Sequence, residues 1–124
     1  MNDQTLLFRQ AHPNFVVEGM LTSQAFTPFP KDQGNLSVYD GDQVSPQEAY
    51  RHYTEKQHLL SAGVWGVSGA EVKSVDLSYR ADPIEGNSAH VLIEFGQRTD
   101  KECRKLAKRL VNYALNRGRL CPKE

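Results

Sequence analysis

The most regular hydrophobic pattern of the chain lies near its C-terminal end, where apolar residues recur at intervals of three and four. They are Cys103, Leu106, Ala107, Leu110, Val111, Ala114 and Leu115. This spacing places them on one face of a helix. Thr99 and Glu102 form a capping box before them, and Gly118 provides a left-handed stop after them. The pattern therefore predicts a helix over residues 100–117.

A second helix is indicated by Ser-Pro-Gln-Glu at residues 45–48. This is again a capping box, and its proline stands at the first helical position, where a missing N–H costs nothing. The apolar and aromatic residues that follow form an inward stripe. They are Ala49, Tyr50, Tyr53 and Leu60, with Gly63 beyond the end. The sequence predicts a helix over residues 46–60.

Alternation of apolar and polar residues, which is the period of a half-buried strand, marks most of the remaining elements. It is clearest at residues 75–79 and 91–95, and the turn residues 82–87 are expected to join these two strands into an antiparallel hairpin. Weaker strands are predicted at residues 6–9, 15–21, 36–39 and 64–67.

Taken in order, these elements predict a single α+β domain over residues 1–124. We expect an antiparallel or mixed sheet of about five to six short strands, with both helices packed on one face. A chain of 124 residues is long enough to bury a core of its own. Residues 119–124 are predicted to form a short C-terminal tail.

Residues 23–35 follow no hydrophobic period and contain two prolines and a glycine. A loop of this length in a compact domain is usually functional or disordered. It also contains Phe26 and Phe29, and leaving both in water would forfeit on the order of 1.5 to 3 kcal/mol each. The two phenylalanines are therefore expected either to pack into the core or to anchor a partner.

Charge is divided unevenly along the chain, although the formal net charge is zero. Residues 98–124 hold nine basic and three acidic residues, which gives +6 there and −6 over residues 1–97. On the last predicted helix, five basic residues fall opposite the apolar face. They are Lys101, Arg104, Lys105, Lys108 and Arg109, and Arg117, Arg119 and Lys123 extend the set.

A basic helix face of this kind points to an acidic partner. The leading hypothesis is a cytoplasmic binding module that presents this face, together with Phe26 and Phe29, to an acidic protein, a nucleic acid or a second copy of the chain. Nucleic acid is favoured less, because the net charge is zero and the only aromatic residue of this helix is Tyr113. Two alternatives remain open: a face that is merely solvated, and a structural subunit of a homo-oligomer.

A competing hypothesis is a small enzyme or a nucleotide- or phosphate-binding domain. Arg9 and His12 lie at the end of the first predicted strand, where catalytic groups often occur. Thr22 and Ser23 close the next strand and would lie nearby in an antiparallel pair. Hydroxyl, imidazole and guanidinium groups together suit a phosphate. The ordinary alternative is a turn at His12, and because no nucleophile motif is present, the residues favour a binding protein over an enzyme.

No metal, cofactor or membrane site is predicted. Asp-Gly-Asp at residues 40–42 offers two carboxylates without the other ligands of a calcium loop. His52 and His58 are not spaced like a zinc pair, and Cys103 and Cys121 are expected to be unpaired thiols. The chain has no apolar run of about 18 residues and no start typical of a signal peptide, which predicts a cytoplasmic protein.

Overall fold

The structure, a computed structural model, describes residues 1–29 and 33–122. Within these ranges the strands are β1 (Leu6–Ala11), β2 (Val16–Val17), β3 (Met20–Leu21), β4 (Asn35–Asp40), β5 (Gly63–Ser68), β6 (Ser78–Ala81) and β7 (His90–Glu94). The α-helices are α1 (Pro46–Arg51), α2 (Gly69–Ser74) and α3 (Asp100–Arg117). Short 3₁₀ turns cover Pro13–Phe15 and Ser23–Phe26, and a π-helical turn at His52–Lys56 continues α1.

Five strands form one antiparallel sheet in the order β5-β1-β4-β7-β6, and β2 pairs with β3 in a separate small hairpin. The predicted antiparallel pairing of β6 with β7 is present, with Tyr79 opposite Ile93. Helices pack against this sheet. The predicted fold class, a single small α+β domain, is confirmed.

The sheet separates two apolar layers, because successive side chains of a strand point to opposite faces. Leu7 belongs to the cluster that contains the buried residues of α2 and α3. Phe8, the next residue, belongs to a second cluster that contains Ala49 of α1. The two predicted helices therefore lie on opposite faces and do not share one. The sequence pattern could not reveal this, since β1 is apolar on both sides.

The boundaries of the last helix are those that the sequence predicts, and its capping box is present. Thr99 Oγ1 accepts a hydrogen bond from Glu102 N at 3.1 Å, and the Glu102 carboxylate accepts one from Thr99 N at 3.0 Å. The Ser45 capping box of α1 is also present. However, this helix does not reach residue 60. The π-helical turn ends at Lys56 and His58 has a left-handed φ of 56°, so Leu60 remains 66% exposed.

Two predicted strands differ from the structure. Residues 15–21 are interrupted by Glu18 and Gly19, whose φ values of 52° and 80° form a tight turn between β2 and β3. Within residues 75–79 only the last two belong to β6. The preceding segment forms α2, which begins with a capping box at Ser68 and Glu71 that the sequence analysis did not include. Val75 and Leu77 are buried where the chain leaves α2, which explains their apolar character.

The described residues of the predicted loop and of the predicted tail include regular structure and backbone hydrogen bonds to the sheet. The loop, residues 23–35, begins with a 3₁₀ turn and ends in β4, while residues 30–32 lie outside the described ranges. In the tail, Leu120 N donates to Val64 O and Val64 N donates to Cys121 O, so these residues extend the edge at β5. Among the described residues, no helix has the length and apolar character needed to cross a membrane.

Candidate functional site

The outer side of α3 is a continuous basic surface, which we call the basic face. It consists of Lys101, Arg104, Lys105, Lys108 and Arg109, all of them exposed. The opposite side of the helix is buried through Cys103, Ala107, Leu110, Val111 and Ala114. At a rise of 1.5 Å per residue, the first and last basic residues are separated by about 12 Å along the helix axis. The burial of its other side holds this surface in place.

Within the described ranges, none of the five basic side chains forms a hydrogen bond or an ion pair. Other arginines of the molecule are paired: Arg80 with Glu94 at 2.9 Å, and Arg98 with Asp76 at 3.4 Å. The basic face therefore keeps its charges available to solvent or to another molecule.

Two of the three residues that were predicted to extend the basic face lie elsewhere in the structure. Arg117 pairs with Glu71 of α2 at 2.9 Å and also donates to Gly66 O at 2.9 Å. It therefore ties α3 to α2 and to β5 and is not part of the surface. Arg119 lies at a separate cavity beside Trp65, and Lys123 lies outside the described residues.

The charge pattern of the basic face opposes helix stability. Lys101 and Lys105, Arg104 and Lys108, and Lys105 and Arg109 are like-charged pairs at a spacing of four, and each such pair destabilises a helix by about 0.2–0.5 kcal/mol. Lys101 also stands in the first helical turn, where the helix dipole favours negative side chains. These like-charged pairs therefore do not contribute to the stability of the helix.

An apolar groove of about 220 Å³ adjoins the basic face. It is lined by Phe15, Gln24, Thr27, Pro28, Phe29, Asp100 and Arg104. Phe29 is 46% exposed and packs against Phe15 with 6.2 Å between ring centroids. Phe26, by contrast, is fully buried in the main core. Of the two alternatives for Phe26, packing into the core is correct and contact with a partner is wrong. Phe29 is exposed beside Arg104, and its contact with a partner stays a prediction.

Arg9, the first residue of the competing hypothesis, closes an opening in the sheet. β1 and β4 pair only at Leu7 with Asp40 and at Phe8 with Tyr39. Beyond these positions the Arg9 guanidinium extends across, and its Nη1 donates to Ser37 O at 2.9 Å. Its Nε donates to Ala25 O at 2.7 Å. Arg9 thus satisfies backbone carbonyls that no neighbouring strand reaches.

The other three residues of that hypothesis make local contacts. His12 Nδ1 accepts a hydrogen bond from Asn14 N at 3.0 Å and caps the first 3₁₀ turn. Thr22 Oγ1 donates to Phe15 O at 2.6 Å, and Ser23 O accepts from the Thr27 hydroxyl at 2.8 Å. These are the ordinary turn roles of such residues. The cavity at Arg9 is lined by none of the three.

This cavity, the central groove, has a volume of about 410 Å³ and lies between β4 and the π-helical turn. It is lined by Arg9, Gln10, Phe29, Asn35, Leu36, Ser37, Val38, Tyr39, Tyr53, Gln57, Leu59, Ile84, Asn87 and His90. These residues come from well-separated parts of the chain. Sequence analysis recognised only Arg9 and Phe29 among them as candidate site residues.

Gln10 is the residue of the central groove with an unmet hydrogen bond. It is 5% exposed, and its Oε1 accepts from Ser61 Oγ at 2.7 Å. Its Nε2 is buried and has no hydrogen-bond partner among the described residues. A buried donor left in this state costs about 1–3 kcal/mol. A sequence signal exists, because Gln10 shares a strand face with Leu6 and Phe8 and is the polar residue of that apolar series.

One wall of the central groove is fixed by His52. Its Nε2 lies 2.8 Å from Gly86 O, which can only accept, so Nε2 carries the proton and Nδ1 accepts from Tyr39 OH at 2.8 Å. This link joins the start of the π-helical turn to β4 and to the turn at residues 84–87. Burial, with a smaller contribution from Tyr53, raises the pKa of Tyr39 to about 12. Tyr39 therefore stays protonated and keeps donating at neutral pH.

The remaining chemistry candidates form no further site. In the described part of the chain, no group of three or more His, Cys, Asp or Glu is placed to hold a metal ion. Asp40 instead accepts hydrogen bonds from Asp42 N and Gln43 Nε2 within a turn.

Comparisons with known proteins gave no matching family model, no matching curated protein and no matching solved structure. Function must therefore be inferred from the geometry of this chain.

Proposed function

We propose that this protein is a cytoplasmic binding module whose basic face holds an acidic segment of another protein. The observation that carries the proposal is the set of five exposed cations that have no hydrogen-bond or ion-pair partner among residues 1–29 and 33–122. They stand on one side of a capped 18-residue helix whose other side is buried in the core. A positive surface of this kind draws an acidic segment towards it and fixes its orientation.

The apolar groove supports a protein partner over a nucleic acid. Protein interfaces combine a desolvated apolar or aromatic centre with a charged rim, and Phe29 beside Arg104 offers this combination. Residues 1–97 carry a net charge of −6, which would repel a phosphate backbone wherever it extends past α3.

A second copy of the chain could bring its own acidic region to the basic face. Such a head-to-tail contact would form rings or open chains.

The first prediction concerns charge reversal on this face. The probe is a fluorescein-labelled acidic peptide that contains several glutamates and two phenylalanines. Its binding is measured by fluorescence anisotropy in low salt. The double variant K105E/K108E is expected to weaken peptide binding by at least about tenfold, because like charges would then face each other. The affinity of the original chain should also fall as salt is raised, since exposed charges are screened.

A matched control distinguishes the effect of the basic face from the effect of the net charge. The double variant R51E/K56E also replaces two exposed basic residues, so both proteins change from a net charge of 0 to −4. Arg51 and Lys56 belong to α1 and its π-helical turn, away from α3. An equal loss of affinity in both variants would contradict the proposal. Tighter binding of a single-stranded oligonucleotide than of the peptide would favour nucleic acid, and a mass above that of one chain in light scattering would favour self-association.

The second prediction is that Lys105→Glu stabilises the fold while it weakens binding. The substitution converts the like-charged pairs with Lys101, Arg109 and Lys108 into opposite-charged ones, and it makes the pair with Glu102 like-charged, for a net gain of two favourable changes. The expected gain is roughly 0.5–1 kcal/mol in the free energy of unfolding, measured by urea denaturation. Lys108→Glu converts the like-charged pairs with Arg104 and Lys105 and should give a gain of similar size. A loss of stability in Lys105→Glu would show that Lys105 makes a structural contact.

A further inference from the structure

We propose that the central groove binds a small uncharged heteroaromatic molecule of the nucleoside class, and that Gln10 Nε2 donates a hydrogen bond to it. This site is distinct from the basic face. The proposal starts from the Gln10 side chain, which is more than nine-tenths buried and whose Nε2 has no partner in the part of the chain that the structure describes. A donor left in this state is unusual in a stable fold and is expected where a ligand supplies the acceptor.

The backbone around the groove deviates from regular structure. The helix that starts at Pro46 widens into a π-helical turn, in which Gln57 N donates to His52 O at 3.1 Å. His58 then adopts a left-handed φ of 56°. Tyr53 and Gln57 on this segment line the groove. Single π-helical turns and left-handed non-glycine residues are frequent at functional sites, where strained backbone conformations persist because binding or catalysis depends on them.

The lining groups define the class of ligand. Four carboxamides face the groove, from Gln10, Asn35, Gln57 and Asn87. A carboxamide carries a donor and an acceptor in one plane, which matches the edge of a nucleobase. Gln10 Oε1 and Asn87 Oδ1 already accept hydrogen bonds within the protein, so these two side chains offer their N–H groups to a ligand. No described lining residue is acidic, and the Arg9 guanidinium already binds two backbone carbonyls. The polar groups are therefore suited to a neutral ligand and not to a free phosphate or a metal ion.

The apolar lining residues fit the flat face of such a ligand. Phe29, Leu59 and Ile84 are each about half exposed at the groove, with exposed fractions of 46, 46 and 47%. Tyr53 adds an aromatic ring to the wall. Aromatic and aliphatic side chains commonly cover the faces of bound rings, while a few polar groups fix their orientation. The volume of about 410 Å³ lies within the usual range for small-molecule sites.

The test is an NMR titration of the ¹⁵N-labelled full chain with adenosine, guanosine, cytidine, uridine and glucose. At least one nucleoside is expected to shift the amide signals of Gln10, Tyr53 and Gln57 with a Kd below about 1 mM. Gln10→Met should weaken this binding by about tenfold or more, because the ligand acceptor would then be buried without a partner. Glucose should leave these signals unchanged.

The thermal stability of Gln10→Met separates binding from a structural role. Methionine removes the unpartnered donor, and Ser61 Oγ still lies 3.1 Å from Gly63 O, so the melting temperature should stay the same or rise. Gln43→Met is the control, because Gln43 donates to Asp40 and does not line the groove. It should bind nucleoside like the original chain. The proposal is overturned if no nucleoside binds, if glucose binds equally well, or if Gln10→Met binds unchanged.

Discussion

Replacing Phe26 by alanine is expected to destabilise the protein by about 3–5 kcal/mol, because it leaves a large cavity in a packed interior. Phe26 has no exposed surface and belongs to the main core cluster. The 3₁₀ turn that carries it packs against α3. A domain of this size has a total stability of about 5–15 kcal/mol, so the variant should lose much of it. Denaturation in urea, followed by circular dichroism, measures the difference.

Phe29→Ala is the matched control for this prediction. Phe29 lies three residues further along, yet it is half exposed and packs on the ring of Phe15. Its truncation removes little buried area and should cost no more than about 1 kcal/mol. The same variant should weaken binding of the acidic peptide, since Phe29 lines the apolar groove. Equal destabilisation by the two substitutions would contradict the different burial of the two rings.

The contrast between these phenylalanines shows where sequence reasoning stops. The absence of any period in residues 23–35 leaves two alternatives for both rings. The deciding feature is the 3₁₀ turn at Ser23–Phe26, which directs Ala25 and Phe26 inward. A single turn of this kind has no sequence period to detect, and its direction depends on the helix against which it packs.

Local chemistry predicted the last helix correctly, whereas α2 was missed although it begins with an equally local capping box at Ser68 and Glu71. The last helix follows from its apolar spacing and from the reciprocal cap of Thr99 and Glu102, both of which act within a few residues. The second helix fails at its end because a π-helical turn and the left-handed His58 interrupt it. The amino-acid types of that segment do not predict where the α-helix ends. Alternation at residues 75–79 was likewise misleading, since Val75 and Leu77 are buried beside a short helix and not in a strand.

The two candidate sites differ in the same way. The basic face lies on one helix, so charge counting and helical geometry were enough to locate it. The central groove needs β1, β4, the π-helical turn and the turn at residues 84–87 to meet. Only the tertiary arrangement brings these segments together. The polar Gln10 within an apolar strand face was the available local signal, and its meaning depends on the missing partner of its Nε2 atom.

Replacing Gly34 by alanine is expected to cost about 3 kcal/mol or more. Gly34 precedes β4 with a left-handed φ of 78°, which alone costs an L-residue roughly 1–2 kcal/mol. A Cβ atom at this position would also lie 2.5 Å from the carbonyl oxygen of Gly96, a distance that requires the backbone to move. The movement would disturb the hydrogen bond from Phe95 N to Gly34 O, now 2.7 Å. Thermal unfolding measures the loss.

Gly96→Ala provides the comparison that isolates the steric term. Gly96 is also left-handed, with a φ of 65°, but a Cβ atom there would meet only Arg98 Nη1, at 3.8 Å. Its cost should therefore be about 1–2 kcal/mol, from conformation alone. Because β4 forms the floor of the central groove, Gly34→Ala should also shift the NMR signals of residues 35–39, whereas Gly96→Ala should leave them in place. Equal losses in the two variants would mean that the close approach at Gly34 relaxes without cost, and that the start of β4 does not constrain the groove.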